Sequence, residues 1–303
     1  MATENEAVDL FYALPEECIA SVLSFTSPPD ACRSLSVSTN FRSAAESDAV
    51  WESFLPPQYK SIISRSADSS SSLSFSSSKK ELYLRLCDHP LLIDEGRKSF
   101  WLEKRSGKIC YMLSPKDLVI VWMGTPRHWT WTSLPDARFP EVAELISVCW
   151  LEIRGKINTN MLSPATLYTA YLVFKVTTGS FGFENQPVEV AVGVVGSAGG
   201  HKRSVFLDAE RRRRSRHQIV RWRGGRFSRS GILCQPPQPR VKDEDGERPK
   251  ERGDGWLEME LGEFFNGGED DDGEVEMSVL EVKGGNWKGG LIVQGIEIRP
   301  KRG

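Results

Sequence analysis

The side chains best placed to do chemistry lie in the run Val121-Trp122-Met123-Gly124-Thr125-Pro126-Arg127-His128-Trp129-Thr130-Trp131. Gly124, Thr125 and Pro126 set a turn between tryptophans, so at least one indole should sit on a loop with its ring exposed. An exposed indole is an apolar platform. Sugar rings have apolar C–H faces that lie flat on such a surface, and neighbouring carboxylates and amides can take their hydroxyls. Core packing is the ordinary role of tryptophan, and Trp150 and Trp256, which open strands, read that way. Covalent chemistry has less support. His89, His128, His201 and His217 stand in no His-Glu-x-x-His pattern, and no Gly-x-Ser-x-Gly or phosphate-binding loop accompanies them. Cys18, Cys32, Cys87, Cys110, Cys149 and Cys234 include no Cys-x-x-Cys pair. That spacing suits reduced thiols, mostly small core residues, better than a metal site or a disulfide framework. The expectation is a non-catalytic chain with no cofactor and no metal.

A second chemistry is electrostatic. The formal net charge is −2, yet His201 to Ser230 holds eleven Lys or Arg against two acids. Arg211, Arg212, Arg213, Arg214 and Arg216 surround a single serine. Such a run reads as a solvated loop, a nuclear-import signal or a nucleic-acid contact, the last being weakest without interleaved aromatics or a nucleic-acid-binding fold. Residues 235 to 255, rich in proline and then mixed charge, read as disordered. The acidic run Glu269 to Asp272 could attract the basic loop within a Debye length of about 10 Å.

The elements that must carry these groups change character along the chain. Residues 11 to 57 show helical periodicity broken by caps and prolines. Pro15 and the two glutamates after it suit a helix start, and Ile19, Val22 and Leu23 share one face. Ser27 caps the next helix with Asp30 three residues on, Thr39 or Asn40 caps a third, and Ser47-Asp48 opens a fourth bearing Val50, Trp51, Phe54 and Leu55. Residues 66 to 78 are mostly serine, a linker by composition, and Lys79 to Leu92 predicts a short helix. From about Ser99 the period becomes two. Val188, Val190, Val192 and Val194 alternate with small or acidic residues, as do Leu257, Met259 and Leu261, and Val275, Met277 and Val279. Leu167 to Val176 is nearly continuous in apolar residues and suits a central strand. Many short strands separated by Gly-rich turns imply a sandwich or jelly roll.

Some forty-five helical residues make a marginal core, so the N-terminal helices need an outside surface. The run LPEECIASVLSFTSPPDACRSLSVSTNFRSAAESDAVWESFLP resembles an F-box, closely that of plant phloem-lectin-related proteins. The resemblance implies docking on a Skp-type adaptor and, through it, a cullin and a RING subunit. By carry-over, Leu14, Pro15, Ile19, Val22, Leu23, Leu35, Val37 and Trp51 would supply that contact or its immediate support.

The stretches SPKDLVIVW, VAELISVCWLEIRGKINTNMLSPATLYTAYLVFK and DGWLEMELGEFFNGGEDDDGEVEMSVLEVKGGNWKGGLIVQGIEIRP resemble the phloem protein 2 family, whose type members are lectins for N-acetylglucosamine. Carried over, Trp122 and Trp129, with Glu274 and Glu281 as acidic candidates, would form a sugar site. His128 stands where an aromatic residue is usual. Glu274 and Glu281 also read as solvated strand-face charge.

The expected architecture is α+β and multidomain: an acidic tail to residue 10, an all-α F-box over 11–57, and a Ser-rich linker with a short helix over 58–98. An all-β, jelly-roll-like lectin sandwich over 99–300 follows, with a disordered basic insert at about 199–255. The expected role is the substrate-recognition subunit of a cullin-type ubiquitin ligase, whose β-domain binds a target, a glycoprotein or a protein edge. The rival is a stress-response lectin with a non-productive F-box. No apolar run approaches the roughly 20 residues of a membrane span, and residues 1–9 lack a signal-peptide pattern. The expected compartments are cytoplasm and nucleus.

Overall fold

The computed structural model describes residues 14–66, 78–184, 186–196, 201–208, 248–268 and 273–301. The tail, most of the Ser-rich linker, Arg211 to Arg216 and the acidic run Glu269 to Asp272 lie outside the described residues. Among those described, the helices are α1 (Glu16–Leu23), α2 (Pro28–Ser34), α3 (Thr39–Glu46), α4 (Asp48–Phe54), α5 (Tyr59–Ser64) and α6 (Lys79–Asp88).

Their boundaries follow local chemistry. Pro15 directly precedes α1, and its carbonyl accepts the amides of Cys18 and Ile19. At α2 the Ser27 hydroxyl accepts the Asp30 amide and donates to the Asp30 carboxylate, a reciprocal cap. The α3 cap is Ser38, whose Oγ accepts the Phe41 amide, so neither Thr39 nor Asn40 plays that part. Helix α5 falls where a linker was expected; six residues are too few to display a period. Helix α6 stops at Asp88, short of the predicted Leu92, because Pro90 drives His89 to an extended conformation. Leu91 and Leu92 then open the first strand.

The strands are β1 (Leu91–Ile93), β2 (Lys98–Leu102), β3 (Ile109–Leu113), β4 (Val119–Ile120), β5 (Trp129–Thr132), β6 (Val142–Leu145) and β7 (Leu151–Asn158). After a 3-10 turn at Thr159–Met161 come β8 (Thr166–Phe181), β9 (Val188–Val194), β10 (His201–Val205), β11 (Lys250–Glu251), β12 (Leu257–Asn266), β13 (Glu274–Glu281) and β14 (Gly289–Pro300). One sheet runs β1-β2-β3-β14-β8-β12-β11; β6 pairs with the start of β14 and with β5. The other runs β10-β9-β13-β7-β4. All pairs are antiparallel. Strands β10 and β11 occupy the two ends of the span assigned to the basic insert.

The predicted alternation sets the two inner faces. Val188, Val190, Val192, Val275, Met277 and Val279 are buried in the same cluster as Tyr168, Ala170, Leu172 and Phe174 of β8. Strand β8 lies between β14 and β12, as its apolar run required, although Leu167 at its start is exposed.

That buried cluster continues without a break into the helices. Trp51 of α4 packs on Tyr83 of α6 at 5.3 Å and on Phe54 at 5.7 Å. The Tyr83 hydroxyl donates to the Lys104 carbonyl in the β2–β3 turn at 3.1 Å. Gly107 of that turn has φ 69°, and a Cβ there would lie 2.7 Å from the Phe54 carbonyl oxygen. Arg65, after α5, donates both Nε and Nη2 to the Asp94 carboxylate beyond β1, at 2.8 and 2.5 Å. The surface that completes the short helices is therefore in part this chain's own: α6, β1 and the β2–β3 turn.

Candidate functional site

The helical module meets the sandwich beside Pro300, at the C-terminal end of β14. At its N-terminal end, roughly 35 Å away along the strand at about 3.3 Å per residue, the loops gather tryptophans. Trp122, after β4, is 53% exposed with φ 69°. A bulky side chain in that left-handed region costs on the order of 1–2 kcal/mol and must be held. The Val121 amide donates to the Glu152 carbonyl at 3.0 Å, and the Val121 carbonyl accepts the indole N–H of Trp129 at 3.1 Å. The Trp122 carbonyl accepts the Thr125 amide at 2.9 Å.

Trp129, expected as a second platform, is instead 2% exposed. It opens β5 with its ring turned into the core, where its N–H fixes the peptide just before Trp122. Trp129 positions the exposed indole and offers no face of its own. The companions of Trp122 are His128 and Trp287. The His128 ring lies 5.8 Å from Trp122 and 6.3 Å from Trp287, nearly parallel to the latter at 27°. Its Nδ1 is 2.7 Å from the Ser147 carbonyl, so Nδ1 carries the proton there. Trp287 is 55% exposed. Trp150, expected in the core, is also exposed, its indole N–H donating to Glu152 at 2.9 Å.

Glu281 lies under the Trp287 loop and is buried in an ion pair with the fully buried Lys288. Its other oxygen accepts Gln186 Nε2 at 2.8 Å and the Gly284 amide at 2.9 Å. Lys288 also donates to the carbonyls of Asn286 at 2.7 Å and Cys149 at 3.3 Å. Three loops are thus tied beneath the aromatic strip. Gly182, at φ 85°, completes the join, since a Cβ there would stand 2.3 Å from the Trp287 carbonyl. Beside this network opens a cleft of about 190 Å³ lined in part by Gln186, Glu189, Ser204 and Lys283.

Glu274 does not belong to this site. It lies seven positions before Glu281 along β13, roughly 23 Å, and the odd spacing puts it on the outer face, where it pairs with Lys156 at 2.6 Å. Sequence reasoning missed Trp287, His128 as a ring partner, and Lys288. The signal was present: Asn286-Trp287-Lys288 sits between Gly284-Gly285 and Gly289-Gly290, the same tryptophan-in-a-turn pattern that marked Trp122.

At the helical pole, the eight carried-over residues divide. Leu14, Pro15, Val22 and Val37 are exposed, and Phe25, outside that set, is 89% exposed. Ile19, Leu23 and Trp51 are buried, and Leu35 is half-buried against the core, so these hold the helices together and offer little to a partner. The described residues contain no group of His, Cys, Asp or Glu suited to a metal, and no helix among them is long and apolar enough to cross a membrane.

A helical cluster with an apolar outer face, joined to an antiparallel sandwich that presents tryptophans at its far end, defines an F-box joined to a lectin-type β-domain. Family comparison agrees: residues 11–56 match the F-box-like model, and residues 108–300 match the model for Phloem protein 2. The chain belongs to the family of F-box proteins that carry a phloem protein 2 domain. Relatives from Arabidopsis thaliana include F-box protein At2g02240, 47% identical over 96% of this chain and 81% of its own length. F-box protein PP2-B1 is 46% identical over 96% of this chain and 90% of its own length. F-box protein PP2-B10 is 46% identical over 96% and 94%.

Proposed function

We propose that this protein is the target-selecting subunit of a cullin-type ubiquitin ligase, with the helical module docked on a Skp-type adaptor and the aromatic pole binding a glycan on the target. The chain itself performs no catalysis; ubiquitin transfer belongs to its partners, and its contribution is proximity and orientation. The observation that carries this reading is the placement of two unpartnered apolar surfaces at opposite ends of one continuous core. Leu14, Val22, Phe25 and Val37 at one end have no intramolecular use for their exposure, which suits a protein partner. Trp122 keeps a strained backbone to hold its indole in solvent at the other end, which suits a flat apolar ligand face such as a sugar ring.

Co-purification with a Skp-type adaptor tests the first half: the complex should form with wild type and be lost with Leu14→Ala, Pro15→Ala and Phe25→Ala combined. A glycan array tests the second: signal on glycans containing N-acetylglucosamine should vanish with Trp122→Ala. Adaptor binding without any glycan signal in wild type would shift the reading to a ligase subunit whose β-domain grips protein. Glycan binding without the adaptor would leave a lectin. Cytoplasm and nucleus are the compartments consistent with this role.

A further inference from the structure

Beside the helical module, remote from the aromatic strip, a cleft of about 460 Å³ is lined by Glu103, Arg105, Ser106, Lys108, Thr166, Leu167, Pro300 and Lys301. Three elements meet there: the β2–β3 turn, the start of β8 and the end of β14. We propose that this cleft is a second binding site, for a phosphorylated peptide segment.

Charge is the first ground. Three cations enter the cleft against Glu103, and Glu103 is already engaged: its Oε2 accepts the Arg105 amide, the Ser106 amide and the Ser106 hydroxyl at 3.0, 2.9 and 2.8 Å. Lys301 pairs with Glu263 at 2.8 Å. Arg105 and Lys108 form no ion pair among the described residues; the Lys108 ammonium donates to the Thr166 hydroxyl at 2.8 Å. With Glu103 counted, Arg105 and Lys108 still leave the cleft with a net positive charge, the sign that attracts a phosphate ester, close to −2 at neutral pH. Arg105, on an exposed turn, can reach a phosphate with a fork of donors.

The apolar surroundings are the second ground. Leu167 and Phe265 are register partners on adjacent strands and so share the outer face of their sheet. They are 39% and 60% exposed. Two large apolar side chains set side by side next to the cationic cleft form a shelf for an apolar residue flanking the phosphate. A free phosphate would leave that shelf unused, whereas a peptide uses both features.

An oriented phosphothreonine peptide library tests the assignment on the full chain, with the unphosphorylated library and inorganic phosphate as probes alongside. The expected result is enrichment of phosphorylated peptides with an apolar residue near the phosphate. Affinity should fall at least tenfold with Arg105→Ala plus Lys108→Met, and should fall again with Phe265→Ser. Both variants should retain the wild-type thermal transition and adaptor binding. Equal capture of unphosphorylated peptides would overturn the proposal. So would binding of inorganic phosphate or of phosphatidylserine vesicles with no peptide preference.

Discussion

Trp122 and Trp129 are alike in type and seven residues apart, yet they do opposite work. Burial of Trp129 contributes core stability, and its truncation to alanine should cost about 3–5 kcal/mol in urea unfolding. Trp122 is held in a left-handed conformation that glycine adopts freely. Trp122→Gly should therefore raise stability by about 1 kcal/mol while removing glycan binding, a separation that calorimetry and a glycan array read together. Lower stability in that variant would mean that the exposed ring packs more than it binds. The ion pair below Trp287 gives another contrast. Lys288→Met leaves Glu281 buried without its countercharge and should cost about 3–5 kcal/mol, whereas Lys288→Met with Glu281→Leu should recover much of it. Denaturation midpoints of the three proteins decide the matter.

At the scale of elements, helices α4, α5 and α6 are bound by side chains that cross between them. Lys79 of α6 sits 2.9 Å from the Glu52 carboxylate of α4 and 2.5 Å from the Tyr59 hydroxyl of α5. Hydrogen bonding to Lys79 holds the Glu52 carboxyl below its ordinary value of 4.5, and Arg65 does the same for Asp94 relative to 3.8. A carboxylate whose pKa is depressed on folding stabilises the fold above its unfolded pKa and loses that contribution as the pH falls through its folded pKa. The helical module should thus weaken in acid, starting near those ordinary values. Glu52→Gln with Asp94→Asn should be less stable than wild type at about pH 7 and should lose less on acidification. Unfolding curves at several pH values check this, and parallel acid limbs for the two proteins would contradict it.

The whole molecule is a strut. One buried cluster runs from Ile19 to Ile298, so the helical face and the aromatic strip are held at opposite ends of β14. Unfolding should be a single transition, and spin labels at Ser36 and Lys283 should give one narrow distance distribution. Gly107→Val places a side chain against the Phe54 carbonyl at a backbone angle valine resists. That substitution should broaden the distribution and split the transition; an unchanged distribution would mean the join contributes no rigidity.

The sequence by itself determined the longer elements and their faces, though not α5 or the change to strand at Leu91. Val188 to Val194 and Val275 to Val279 could bury only alternate side chains, Ser27 with Asp30 could only start a helix, and the F-box and phloem protein 2 patterns were legible in contiguous residues. Those signals are local, because period and capping depend on neighbours in the chain. Tertiary structure alone decided which groups share a site. His128, Trp287 and Lys288 come together from loops as much as 160 residues apart in sequence, and Glu274 and Glu281, close in sequence, are parted by the length and pleat of one strand. Which of two tryptophans faces water was fixed by the direction in which β5 enters the sheet, a property of pairing that residue type does not encode.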